Sequence, residues 1–309
     1  MEVPAYRPPS EAQSMLIRVT RNCPWNKCAF CGMYRGKKFS IRTPEEIKKE
    51  IIRLRSLYEK TKENRTSTKP LLWENSLELF HFPWLFEEDL TAFIADSDSL
   101  VMKPYQLAEI IGFLRKTFPE IKRVTCYARA KTILRRSLDE LKVLKTAGLD
   151  RLHIGLETGN DELLQLINKG TTSQGMITAG LLAKEAGFSL SLYVILGLGG
   201  KLWWEQHALD TAKVLNEVNP HFIRIRTLRI IPETPLQEMR EKGLFVPASK
   251  IDILKEELLL IENLRLSSEF VSDHISNLLM LNGKLPEAKD QFSAEIQDLL
   301  SRMEGLQTK

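Results

Sequence analysis

Hydrophobic and polar positions follow two alternating periods between residues 15 and 228. Short runs with an apolar residue at every second position are succeeded by stretches where apolar residues recur every third or fourth position. The short runs Met15–Thr20, Thr91–Asp96, Arg123–Ala128, Arg151–Glu157, Ser189–Gly197 and His221–Leu228 read as strands. Between them the helical signals are local. Thr43, Pro44 and Glu46 supply a cap, a first-turn proline and a reciprocal acid ahead of Ile47, Ile51 and Leu54. Ser137 and Glu140 form a second capping box before Leu138, Leu141 and Leu144, with Gly148 at the end. Leu107, Ile110, Ile111 and Leu114 pattern a third helix. Six strand–helix units predict a parallel sheet, because parallel neighbours need a long crossover.

The strands divide into stripes, since successive side chains point to opposite faces. In the fourth, Leu152, Ile154 and Leu156 oppose His153, Gly155 and Glu157. In the fifth, Leu190, Leu192, Val194 and Leu196 oppose Ser189, Ser191 and Tyr193, and in the sixth Ile223 and Ile225 oppose Arg224 and Arg226. A closed eight-stranded barrel fills its interior with branched apolar side chains, so a polar inner stripe predicts fewer strands and an open, wet lumen. The fold expected is α/β, an incomplete (β/α)6 barrel. An antiparallel sheet with one face in water gives the same alternation, but not the intervening helices. Residues 1–230 are assigned to the barrel. Residues 231–309 are assigned to a mainly helical C-terminal extension packed on it, with Leu254, Leu258 and Ile261 on one helix face. The aromatic-rich segment 65–90 reads as packing or an oligomer contact, on the face opposite the strand C-termini.

Charge narrows little: 44 Lys and Arg against 40 Asp and Glu leave +4, with no long block of one sign, so nucleic acid is not indicated. The amino terminus lacks the basic start and apolar run of a signal peptide, and no stretch approaches about 18 uninterrupted apolar residues, which predicts a soluble, cytoplasmic chain. Cysteine changes the picture. Three of the 4 cysteines, Cys23, Cys28 and Cys31, fall in "CPWNKCAFC". Such crowding is no disulfide framework and points to ligation.

Thiolates suit zinc or iron–sulfur clusters. Structural zinc closes four ligands, and this loop offers three with no adjacent histidine. A cubane cluster on three cysteines leaves one iron open to a small molecule. Here the loop resembles that of the radical S-adenosylmethionine (radical SAM) superfamily, which follows the first barrel strand and places an aromatic, here Phe30, before the last cysteine. Cys23 and Cys28 enclose four residues where the usual loop encloses three. "IGLETGNDELLQLINKG" (154–170) and "YVILGLGG" (193–200) resemble the fourth- and fifth-strand motifs of the branch holding oxygen-independent coproporphyrinogen III oxidases and tRNA methylthiotransferases.

The resemblance implies a 4Fe-4S cluster on Cys23, Cys28 and Cys31, with S-adenosylmethionine completing its coordination. It implies cofactor contacts from Phe30, Glu157, Gly197 and Gly199. "ADSDS" takes the place of the family's Gly-Gly-Glu-like segment, so Asp96 and Asp98 stand as candidates for the methionine amino group. A one-electron donor such as flavodoxin or ferredoxin is implied, together with a 5′-deoxyadenosyl radical that takes hydrogen from a small organic substrate. Met33 stands where the oxidases have a further cysteine, and no second cysteine set supports an auxiliary cluster. A single-cluster enzyme of unidentified substrate is what these exclusions leave.

Arg129, His153, Arg224, Arg226 and His274 are candidates for work on the substrate. Each has a plainer alternative. Arg224 and Arg226 bind a carboxylate or form a buried ion pair; His153 is more often a satisfied interior histidine; His274 lies in "SDHISNLL", where Ser272 reads as a helix cap. Cys126 reads as a small buried hydrophobe, and Trp203 as helix packing rather than a stacking platform. "GLGGK" lacks the spacing of a phosphate loop. A rival from another class is a non-catalytic heme-, metal- or Fe-S-binding carrier.

Overall fold

The computed structural model describes residues 6–66 and 82–307. Six parallel strands lie where the alternation places them: β1 (Met15–Arg18), β2 (Thr91–Ala95), β3 (Arg123–Ala128), β4 (Arg151–Glu157), β5 (Ser189–Leu196) and β6 (Phe222–Thr227). Their spatial order is their chain order. The crossovers hold α1 (Pro44–Thr66), α2 (Pro104–Thr117), α3 (Ala130–Ile133), α4 (Leu138–Thr146), α5 (Asp161–Leu166), α6 (Ser173–Glu185) and α7 (Gly200–Val218). Both capping boxes form, Ser137 with Glu140 and Thr43 with Glu46. The α/β partial barrel is therefore the fold.

The tail is mainly helical, with two short strands that the alternation does not show. After α8 (Pro235–Glu241) and α9 (Lys250–Asn263) it adds β7 (Ser268–Val271), parallel to β6, and β8 (Asn282–Leu285), antiparallel to β7, before α10 (Lys289–Gln307). Four-residue strands as polar as "NGKL" carry almost no pattern of their own; the free edge of β6 pairs β7, and β7 in turn pairs β8. Ser272 caps no helix: it opens the loop between β7 and β8. The sheet remains open, with β1 and β8 at its ends. No helix among the described residues is long and apolar enough to cross a membrane.

The apolar stripes face outward under the helices. Leu152, Ile154, Ile223 and Ile225 share one continuous core with Ile110, Leu144 and Leu215, and with Leu254, Phe270 and Phe292 of the tail. Cys126 is buried in it. The inner face is drier than predicted. Phe93 meets Tyr127 with centroids 5.1 Å apart, and His153 lies 6.2 Å from Phe93 and 6.0 Å from Tyr193, so rings fill the barrel at this level. Below them Glu11, from the turn Pro9–Glu11, enters fully buried and takes bonds from Ser14, Arg123 and His153. A polar stripe in a sequence is the same whether water or protein satisfies it.

Within segment 65–90, residues 67–81 lie outside the described residues. The remainder packs: Trp84, 2% exposed, stacks on Tyr58 at 6.1 Å and meets Phe118 edge-on at 6.2 Å.

Candidate cluster and nucleotide site

Beyond β1, Thr20–Arg21 pairs antiparallel with Ser40–Ile41 and closes the intervening chain into one loop. Asn22 and Asn26 take positive φ of 64° and 49°, a conformation asparagine tolerates better than most residues. The Asn22 side chain donates to Lys38 O at 2.7 Å, and that of Asn26 to Tyr34 O. The loop's middle is clamped from outside: Ala29 N–H donates to Ile167 O at 2.8 Å, and Ala29 O accepts from Leu236 N–H at 3.1 Å. Ala29, Ile167, Leu198, Leu236 and Phe245 form a second apolar cluster, against which Phe30 packs. Segments following β4, β5 and β6 thus converge on the cysteine loop, the convergence expected at the strand C-termini of parallel barrels.

The three thiols are free and partly exposed. Burial pushes Cys28 and Cys31 up, and Lys169 opposes it in both. Cys31 senses both Cys23 and Cys28 electrostatically. Yet among the described residues no three His, Cys, Asp or Glu side chains are gathered closely enough for a single metal ion. Three thiolates from one loop, with Lys169 and Arg129 close enough to act on Cys28, are one short of the four ligands of structural zinc and suit a cluster whose ligated irons occupy separate corners. The donor set therefore fits a cubane better than zinc.

Around this loop stand most of the predicted cofactor residues. Asp96, the residue after β2, is buried, and its carboxylate accepts from Asn22 N–H at 3.1 Å and from the Tyr34 hydroxyl, with Arg18 Nε 3.6 Å away. These bonds anchor the cysteine loop. Asp98 is deeper. One oxygen accepts from Thr132, the other has no hydrogen-bond partner among the described residues, and burial raises its pKa to about 6. Arg129 donates to Lys169 O at 2.7 Å and sits 5.0 Å over the Trp25 ring of the cysteine loop.

Glu157 closes β4 at a register shift with φ 64° and receives Lys169 Nζ at 2.6 Å. Its carboxylate lies over Gly155, where a Cβ would come within 1.9 Å of Oε1. Gly197, with φ 79°, begins the turn after β5, and Gly199 is required by closeness alone, since its Cβ would stand 2.7 Å from Trp203 O. Trp203 itself lines an apolar groove with Leu166, Leu202 and Leu244 beside Gly199.

The predicted substrate-side residues divide by depth. His153 belongs to the floor, its Nε2 3.3 Å from Glu11, and burial pulls its pKa below the ordinary value against the pull of that acid. Arg224 donates to Ser191 at 3.2 Å on the inner face, and Arg226, nearer the mouth, lies 5.2 Å over Tyr193 with Asp273 at 3.8 Å. Burial lowers the Arg226 pKa. His274 sits in the β7–β8 loop, held by Ser276 at 2.7 Å; that loop bonds to the end of β6 through Asn277 Nδ2 to Ile225 O. Arg226 and His274 thus share the mouth, while His153 does not.

Four residues that frame the site escaped the sequence reading: Tyr34, Lys169, His207 and Glu256. Lys169 closes "LINKG" with no periodic signal. His207 and Glu256 do leave one, as polar residues at core-facing helical positions beside Ala208, Leu215 and Leu260, but such a pattern names no partner.

Comparison with known proteins agrees with this geometry. The family profile of the radical SAM superfamily matches residues 17–212. The heme chaperone HemW of Bacillus subtilis is 27% identical over 155 residues, 50% of this chain and 40% of that protein. An uncharacterized protein of Methanocaldococcus jannaschii is 27% identical over 139 residues, 45% of this chain and 42% of its own length. The chain therefore spans well under two thirds of the curated relatives it matches. Among solved structures, coproporphyrinogen III oxidase (HemN) from Escherichia coli superposes with TM-score 0.53 at 20% identity, covering 81% of this chain and 52% of that one. Methylornithine synthase (PylB) gives 0.51 at 16%, covering 94% and 81%. These structures share the fold. With the family profile spanning most of the barrel and the three-cysteine loop at its mouth, the chain belongs to the radical SAM superfamily.

Proposed function

We propose that this radical SAM enzyme takes a hydrogen atom from a small anionic substrate held against Arg224 and Arg226. Family membership brings a 4Fe-4S cluster and S-adenosylmethionine, with Cys23, Cys28 and Cys31 as the cluster ligands. When bound, this pair supplies reductive cleavage of the sulfonium to methionine and a 5′-deoxyadenosyl radical. The chain's own part is binding, orientation and exclusion of water. Glu157, Gly197 and Gly199 are read as the nucleotide-side contacts and Phe30 as packing beside the cluster. Arg129 and Lys169 are read as offsetting the negative charge of the thiolates. A flavodoxin or ferredoxin of the cytoplasm is the proposed electron source.

The anionic substrate rests on one observation: two inner-face guanidiniums served, among the described residues, by a single carboxylate 3.8 Å from one of them. Buried cations without acids are costly, and an anion relieves that cost. The test is anaerobic reconstitution followed by S-adenosylmethionine, dithionite and panels of deuterated carboxylates and phosphates. A true substrate accelerates 5′-deoxyadenosine formation and passes deuterium into it. In Arg226→Met the slow unstimulated cleavage survives while the stimulation is lost. If neutral compounds stimulate and anions do not, the arginine reading fails.

Similarity to a heme chaperone over half the chain favours heme carriage as a second reading. Hemin titration separates the two. Stoichiometric heme binding without substrate-stimulated 5′-deoxyadenosine supports carriage, and the reverse supports the enzyme.

A further inference from the structure

Two loops at the mouth are tied to one buried pair that lies outside the site itself. Glu256 on α9 directs both carboxylate oxygens at Gly197 N–H, each at 3.0 Å. Its Oε1 is also 2.8 Å from His207 Nδ1 on α7, an ion contact rather than an aligned hydrogen bond. On the other side of the ring, His207 Nε2 lies 3.3 Å from the Glu157 backbone oxygen. Both His207 and Glu256 are fully buried.

The protons follow from the partners. A backbone carbonyl only accepts, so Nε2 is the nitrogen that carries hydrogen toward Glu157 O, and Nδ1 is the one that faces Glu256. Each terminus of the chain Glu157 O, His207, Glu256, Gly197 N–H is a residue at positive φ. At Glu157 a residue with a Cβ is held in a conformation it disfavours, whereas Gly197 adopts its φ freely; at either point a small rotation turns the Glu157 side chain or the glycine turn away from a ligand. Helix α9 belongs to the tail, so the extension beyond residue 230 reaches under the mouth and sets it.

The geometry points to His207 and Glu256 as positioning residues for S-adenosylmethionine, acting through Glu157 and Gly197. This rests on the reading of those two as nucleotide-side contacts. The pair touches no ligand; it fixes the backbone from which the contacts are made. Its loss should weaken ground-state and transition-state binding alike, raising KM and leaving the saturated rate.

Glu256→Gln and His207→Gln are compared with Glu157→Gln and with Glu257→Gln. Glu257 is the neighbouring buried carboxylate on the same helix, bonded to Ser272 of the β7–β8 loop and to neither Glu157 nor Gly197. Calorimetric titration with S-adenosylmethionine and iron content are measured for each. The KM for S-adenosylmethionine and the saturated rate of its cleavage are followed under dithionite by release of 5′-deoxyadenosine. The proposal expects about a tenfold rise in the dissociation constant and in KM for Glu256→Gln and His207→Gln, a saturated rate within about twofold, parental iron and no change in Glu257→Gln. Parental affinity in both variants while Glu157→Gln binds weakly overturns the positioning role and leaves the Glu157 contact standing. Parental affinity in Glu157→Gln as well overturns both. Equal weakening in Glu257→Gln overturns it too, since general loosening of α9 would then suffice. Should one variant fail to fold, the other carries the same comparison.

Discussion

Replacing Asp96 by asparagine tests whether the cysteine loop is held by that carboxylate or the carboxylate is kept for the cofactor. Asp96 accepts from Asn22 N–H at 3.1 Å and from Tyr34, with Arg18 at 3.6 Å, all at a buried position. Tyr34 is a secure donor, because burial and the adjacent Asp96 raise its pKa well above the ordinary phenol value. An asparagine keeps one accepting oxygen and turns an N–H₂ toward a donor, leaving one partner unsatisfied and removing the negative charge beside Arg18. Breaking a buried charged network by changing one member costs about 3–5 kcal/mol. In a chain of 309 residues that is a fall in melting temperature of roughly 5–8 °C. Tyr34→Phe removes one bond and costs about 1–2 kcal/mol. The double variant should cost less than the sum, because both act on one network. The assay is thermal unfolding and iron content of anaerobically purified protein. Parental melting and parental iron in Asp96→Asn, with only S-adenosylmethionine affinity lost, would refute the anchoring argument and return Asp96 to the role of a ligand contact.

Alanine at Cys23, Cys28 or Cys31 should each remove the cluster absorbance and abolish 5′-deoxyadenosine formation, whereas Cys126→Ala, in the core, should lower stability and retain iron. Two pH dependences of opposite sign are expected in unfolding experiments. Against the pull of burial, His153, Ser14 and Arg123 bring Glu11 below its usual value, and burial lowers His153. Each therefore contributes stability that is fully present above its unfolded value, 4.5 for Glu11 and 6.5 for His153, and is lost as pH falls below that value through its lower folded one. Glu257 is raised by burial to about 8 from 4.5, so stability falls as pH rises between those values, and Glu257→Gln should flatten that limb. Gly155→Ala should leave the melting temperature nearly unchanged yet weaken S-adenosylmethionine binding, since its Cβ displaces only the flexible ends of Glu157 and Lys169; parental affinity would argue against Glu157 as a contact.

The six strands, their helices and the cysteine loop were legible because each is written in neighbouring residues. Period-two stripes, capping boxes such as Ser137 with Glu140, and three thiols within one loop are local signals, and the direction of parallel strands then forces their C-terminal loops to one mouth. What the tertiary structure alone decided lies in pairings across long stretches of chain. Strand β7 pairs with the edge that β6 left, and β8 pairs with β7. Asp96 and Tyr34 are 62 residues apart, and His207 and Glu157 are 50 apart. A carboxylate in a sequence shows its charge but not its partner. Asp96 therefore read as a candidate cofactor contact while its bonds to the cysteine loop stayed out of sight, and Glu256 drew no notice beside Glu257 in "KEELLL" while the structure buries it against Gly197 N–H.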